Sequence, residues 1–141
     1  QVPTRWIDQG ATQALPIAKV KDRLTSGLIE VELAKKYGDK TNWRKMLSGK
    51  VDVLNLAGIK KTILKDFDKL FKKFDVEILE DKIYEFNFPV ENYPEKISAL
   101  SLDKKPIIEG ELQGIKGQYL ILDCGVFNVR KHQGYKVTVE Y

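Results

Sequence analysis

Cysteine and histidine are nearly missing: the 141 residues hold one of each, Cys124 and His132. A single cysteine excludes an internal disulfide framework and fits a reducing compartment. One Cys and one His also exclude a zinc site of the usual Cys/His type within this chain. A hard-cation site built from carboxylates stays open. Long apolar runs are missing too, and none approaches the roughly 18 residues of a membrane span. Gln1-Val2-Pro3-Thr4-Arg5 has no apolar stretch behind its charge, so it does not read as a secretory leader. There is no initiator Met, which leaves a processed chain, a recombinant piece or an excised domain, the last being the expectation. Repeats and low-complexity segments are also lacking. These absences lead to the expectation of a cytoplasmic protein with no membrane partner.

What is present suffices for a core. Hydrophobic residues make up 43% and charged residues 31%. The net charge of +4 hides an asymmetry, because residues 35–73 carry 12 basic groups against 4 acidic ones while residues 74–112 carry 4 against 10. A basic middle beside an acidic stretch reads either as a polyanion-binding face or as two surfaces that pair with each other.

Periodicity divides the chain. Pro3 and Thr4 mark a helix start running into Trp6-Ile7-Asp8. Leu15 to Lys21 alternates like a strand. Asp22 caps a second helix that reaches about Tyr37, with Gly38 as its stop, and Leu24, Leu28 and Val31, extended to Tyr37, are expected to share one face. Gly27 in mid-helix costs about 1 kcal/mol against Ala and reads as a close backbone approach. Asp39 to Asn42 offers capping side chains before a short helix at 43–47. A longer helix is expected over 53–74, where Leu56, Ile59, Ile63, Leu64, Phe67, Leu70, Phe71 and Phe74 recur at three and four. The period then changes to that of strands, at 76–79 and 83–88 with a turn at 80–82, and at 96–102. From Pro106 a β-meander follows, with strands at 107–112, 118–122, 126–130 and 135–141 and a turn at 114–117. The fold class is therefore α+β: a helical part with one short strand over 1–52, an amphipathic connecting helix over 53–74, and an antiparallel β-meander or small barrel over 75–141.

No complete catalytic constellation stands out. Ser26, Ser48, Ser98 and Ser101 lack a nucleophile-elbow context, and His132 lies in an expected turn as a surface residue. Cys124 reads as a packed or incidental thiol. Gly110 to Gly117 is Gly-rich but spaced for neither phosphate-binding fingerprint. Lys61, Lys65, Lys69 and Lys72 lie opposite the apolar stripe, where they either track phosphates or form a solvated face. Tyr119, Tyr135 and Tyr141 alternate as core residues do. Glu30 sits among Leu28, Ile29, Val31 and Leu33, so it is either a partly shielded carboxylate or a solvent-facing one paired with Lys.

Several segments carry a resemblance. They are Pro3 to Ala11, Gly27-Leu28-Ile29-Glu30-Val31, Asp39 to Leu47, and Gly114-Ile115-Lys116-Gly117-Gln118-Tyr119 with Asn128 to Lys131 and Gly134-Tyr135 after it. Nearly the whole chain resembles a bacterial family known as domain of unknown function 2797. The N-terminal part is in turn distantly similar to GIY-YIG endonucleases, whose tyrosine hairpin is followed by a helix with a catalytic arginine, a strand, and a helix with a metal-binding glutamate. That resemblance implies Arg5 on a phosphate, Glu30 on Mg²⁺ in a full-length parent, and Arg23 as a further phosphate contact. It also implies that this piece starts beyond the tyrosine hairpin, so it is expected neither to cut nor to need a cofactor. The expected function is a nucleic-acid-associated module contacting DNA or RNA through Arg23, Lys61, Lys65 and Lys69. The alternative is a protein-interaction or scaffold domain that binds a partner or a second copy.

Overall fold

Asp22 sets the first boundary that can be checked. In the computed structural model, which describes residues 2–38 and 40–141 and the side chains from Thr4 onward, its carboxylate accepts from Thr25 N–H at 2.7 Å. That bond satisfies one of the orphan donors at a helix start. The chain order is α1 (Val2–Asp8), β1 (Gln13–Ala14), β2 (Ala18–Lys19), α2 (Arg23–Tyr37), α3 (Trp43–Leu47), α4 (Leu56–Asp66) and α5 (Asp68–Lys73). Then come β3 (Glu77–Ile78), β4 (Tyr84–Glu85), β5 (Ala99–Leu100), β6 (Leu112–Lys116), β7 (Tyr119–Leu122) and β8 (Gly125–Asn128), with a 3₁₀ turn at Arg130–His132. The architecture is α+β. No helix among the described residues is long and apolar enough to cross a membrane.

Two compact units form, each discontinuous in sequence: residues 1–12, 42–51 and 86–141 make one, and 13–41 with 52–85 make the other. The second holds α2, α4 and α5 around Ile29, Ile63 and Phe71, with Ile17, Val20, Leu33, Ile59, Phe67 and Phe74 packed against them. Asn55 caps α4 by accepting from Gly58 N–H at 2.9 Å. The expected long helix is interrupted at Phe67, which closes α4 and opens α5 with φ −112° and ψ 20°. The apolar stripe runs through this kink unchanged, because spacing of three and four does not register one displaced residue.

Three local expectations change in this unit. The strand expected over 15–21 shrinks to β2, and β1 lies ahead of it. The strands near 77 and 84 do not pair as a hairpin; β3 runs antiparallel to β2, and β4 antiparallel to β1. The face shared by Leu24, Leu28 and Val31 points outward, and Thr25 and Ile29 are the buried residues of α2.

In the first unit, α3 is capped by Asn42, whose side chain accepts from Lys45 N–H at 3.1 Å; Asp39, the other expected cap, lies outside the described residues. Helix α1 starts at Val2, ahead of the expected Pro3–Thr4 boundary. Leu47, Tyr119, Ile121 and Val126 form the core, flanked by Trp43, Met46, Val90 and Ile97. The sheet has the order β5-β8-β7-β6. The run β6-β7-β8 is antiparallel as expected of the meander, but its first strand lies at 112–116 rather than at 107–112, and β5 joins β8 in parallel.

Residues 114–116 of the turn expected at 114–117 instead belong to β6, and the chain reverses at Gly117–Gln118 between the paired Lys116 and Tyr119. Gly117 supplies the positive φ of 59° that a two-residue hairpin loop needs. The expected last strand, 135–141, does not form, and Tyr135 and Tyr141 are exposed rather than core. The outer side of β6 is already taken, since Ile115 N–H donates to Pro89 O at 2.8 Å and Glu91 N–H to Gln113 O at 2.8 Å. Alternation alone cannot make a strand without an edge to join.

Candidate functional site

Helices α4 and α5 present two kinds of lysine. Lys60 lies on the inner side with Ile59 and Ile63 and is buried, its ammonium donating to Leu79 O at 2.5 Å and Glu80 O at 3.3 Å. It also pairs with Asp81 at 2.8 Å, so its three protons all have acceptors and it pins the 79–81 segment to α4. Its place inside the apolar stripe was the signal for this burial. Lys61, Lys65 and Lys69 lie on the outer side, all exposed. The nearby carboxylates are committed elsewhere: Asp66 pairs with Lys36 of α2, and Asp68 with Lys72 at 2.8 Å. Among the described residues no ion pair engages Lys61, Lys65 or Lys69. The linear charge asymmetry disperses here, because this unit collects thirteen basic and twelve acidic residues.

The remaining candidates fall on two helices, α1 and α2. Arg23 occupies the first turn of α2 and is exposed. Glu30 is exposed on the same helix and accepts from Ser26 Oγ at 3.4 Å. Arg5 is exposed on α1 and belongs to the first unit, whereas Glu30 belongs to the second. Among the described residues no three His, Cys, Asp or Glu side chains gather to hold a metal ion.

In the first unit, sequence reasoning missed two buried polar groups. Lys116, 1% exposed, donates to Met46 O at 3.0 Å and to Tyr93 Oη at 3.3 Å. Its ammonium also lies 5.0 Å from the Tyr93 ring centroid and 5.7 Å from that of Phe88. This is a cation held by a carbonyl and aromatic faces rather than by a carboxylate.

His132, expected at the surface, is buried. Its Nε2 accepts from Leu102 N–H at 3.2 Å and its Nδ1 lies 2.9 Å from Asn128 O. A carbonyl only accepts, so Nδ1 carries the proton, and both ring nitrogens are committed to backbone. The ring stacks on Phe127 with centroids 4.4 Å apart and meets the edge of Tyr135. It is thus a fastener rather than a free base. Cys124 is exposed, with Sγ directed at Glu109 O at 3.3 Å.

Tyr135 itself donates to Asp103, and that bond, followed by one from Ser101 Oγ, holds the Asp103 carboxyl below its usual range. A depressed carboxyl adds stability that is present above its unfolded pKa and is lost as pH falls through the folded value. Tyr135→Phe is therefore expected to lower the melting temperature at pH 7 by an amount that shrinks below about pH 4. Melting curves across that range check it, and a deficit independent of pH would contradict the assignment.

The comparisons with known proteins add one match. A family described as "Protein of unknown function (DUF2797)" matches residues 1–137. The comparison with curated proteins finds no match, and neither does that with solved structures. A match over nearly the whole length settles membership: the chain belongs to the DUF2797 family.

Proposed function

We propose that this chain is a nucleic-acid-associated module whose contact surface is the outer face of α4 and α5. The observation that carries this reading is the trio Lys61, Lys65 and Lys69, exposed and, among the described residues, outside every ion pair while the adjacent carboxylates are occupied. Four helical residues rise about 6 Å, so Lys61 and Lys65 stand one above the other along α4. Such a ridge neutralises backbone phosphates without reading bases, which makes binding sequence-tolerant and salt-dependent.

Substituting all three lysines by Glu tests it. On a labelled duplex, the slope of log affinity against log salt is expected to fall by about 3 if each lysine neutralises one phosphate. The affinity at low salt is expected to fall at least about tenfold. An unchanged affinity and slope in the triple variant would overturn the reading.

Cleavage by a longer parent, with Arg5 on a phosphate and Glu30 holding Mg²⁺, is a further step that rests on the order of those residues along the chain. A second reading, a protein-interaction domain, is favoured by one separate observation: the outward apolar face of α2, with Leu24 73%, Leu28 46% and Val31 61% exposed.

A further inference from the structure

Helix α2 carries a feature that nothing among the described residues explains. Leu24, Gly27, Leu28 and Val31 fall within about 100° of arc at 100° per residue, and all four are exposed. A glycine in mid-helix is less favourable than alanine. A Cβ added at Gly27 would meet no atom within 4 Å, so among the described residues no packing requires the glycine there. A stripe of large apolar residues with a gap at its centre fits another helix laid closely against it.

The flanking charges identify that helix. Arg23 and Glu30 project from the same side of the stripe, both exposed. In a two-fold antiparallel pair, like flanks face each other, so a flank that holds one cation and one anion on opposite sides of the centre complements its own copy. With the axis between Gly27 and Leu28, Leu24 lies opposite Val31 of the second copy, and Leu28 sits over the Gly27 gap. Arg23 then lies within about 3 Å, along the helix axis, of the level of Glu30 from the second copy, well inside the reach of its side chain. Among the described residues no ion pair engages Arg23.

We infer that α2 is a self-association surface, through which two copies of this chain pair antiparallel about Gly27 and Leu28. The contact uses none of Lys61, Lys65 and Lys69, so it stands or falls apart from the nucleic-acid reading. One stripe on one helix is small, which places the dimer in the weak, concentration-dependent class.

Sedimentation equilibrium of the full chain from about 5 μM to about 500 μM tests this, since weak interfaces dissociate within that range. A monomer–dimer equilibrium is expected for the wild type. Leu28→Glu is expected to raise the dissociation constant at least about tenfold, and because Leu28 is outside the core the fold is expected to survive. Arg23→Glu alone sets two like charges together and is expected to weaken the dimer. The double variant Arg23→Glu, Glu30→Arg is expected to restore it, a rescue that a general loss of folding cannot produce. A wild type that stays monomeric to the top of the range overturns the proposal. So does a dimer indifferent to Leu28→Glu, or a charge exchange that fails to rescue.

Discussion

Lys116→Ala is expected to lower the unfolding free energy by about 3 kcal/mol, read by urea denaturation. Three contributions set that figure. Truncation removes most of a fully buried side chain and leaves a void, which costs as a buried Leu→Ala change does. It also strips Met46 O and Tyr93 Oη of their donor, and an unsatisfied buried carbonyl costs about 1–3 kcal/mol. Against these stands relief from holding an ammonium away from water, since among the described residues no carboxylate pairs with it. The first two outweigh the third because rings and carbonyl already offset part of the desolvation. Lys116→Met separates the contributions, keeping the volume while removing charge and donor, and is expected to recover most of the loss. A cost under about 1 kcal/mol for Lys116→Ala would mean that the ammonium reaches water.

Gly117→Ala is the second large effect, expected to cost about 2–4 kcal/mol by the same measurement. The residue holds φ +59°, a conformation that costs any L side chain about 1–2 kcal/mol. A Cβ there would also fall 2.6 Å from Asp8 O and 3.1 Å from Gly10 N. Both are backbone atoms at the end of α1, so relief requires moving the helix end or the β6–β7 turn. The reversal is also the register mark of the hairpin, because Lys116 and Tyr119 pair across it. A variant as stable as the wild type would show that the turn does not pack against α1 as described.

Both positions show where sequence reasoning reaches and where it stops. Caps are local, so Asp22 and the Gly38 stop could be read directly, and the cap of α3 to within residues 39–42, each acting within a few residues. The α+β division could be read for the same reason, because helical and strand periods are properties of short windows. Lys116 could not be read, since its burial depends on a carbonyl 70 positions earlier and a phenol 23 earlier. His132 was misplaced on the surface for a like reason, one of its partners being the Leu102 amide 30 residues away. Strand partnership was equally hidden: β3 and β4 are near neighbours in sequence, yet each pairs with a strand from the start of the chain. On α2 the shared apolar face was legible, but which face meets the core was decided by Ile29 against Ile63 and Phe71. The exposure of Lys61, Lys65 and Lys69 was legible because it follows from the same stripe that buries Ile63 and Phe71. The absence of ion pairs to them among the described residues was not, because it depends on Lys36 reaching Asp66 from another helix.

The most direct measurement is a fluorescence-anisotropy titration of the full chain against a labelled duplex of mixed sequence, between about 50 mM and about 200 mM salt. Contact through Lys61, Lys65 and Lys69 gives saturable binding at the lower salt that weakens steeply, with a log–log slope near −3 or steeper. No binding at the lower salt, or binding indifferent to salt, would contradict the nucleic-acid role.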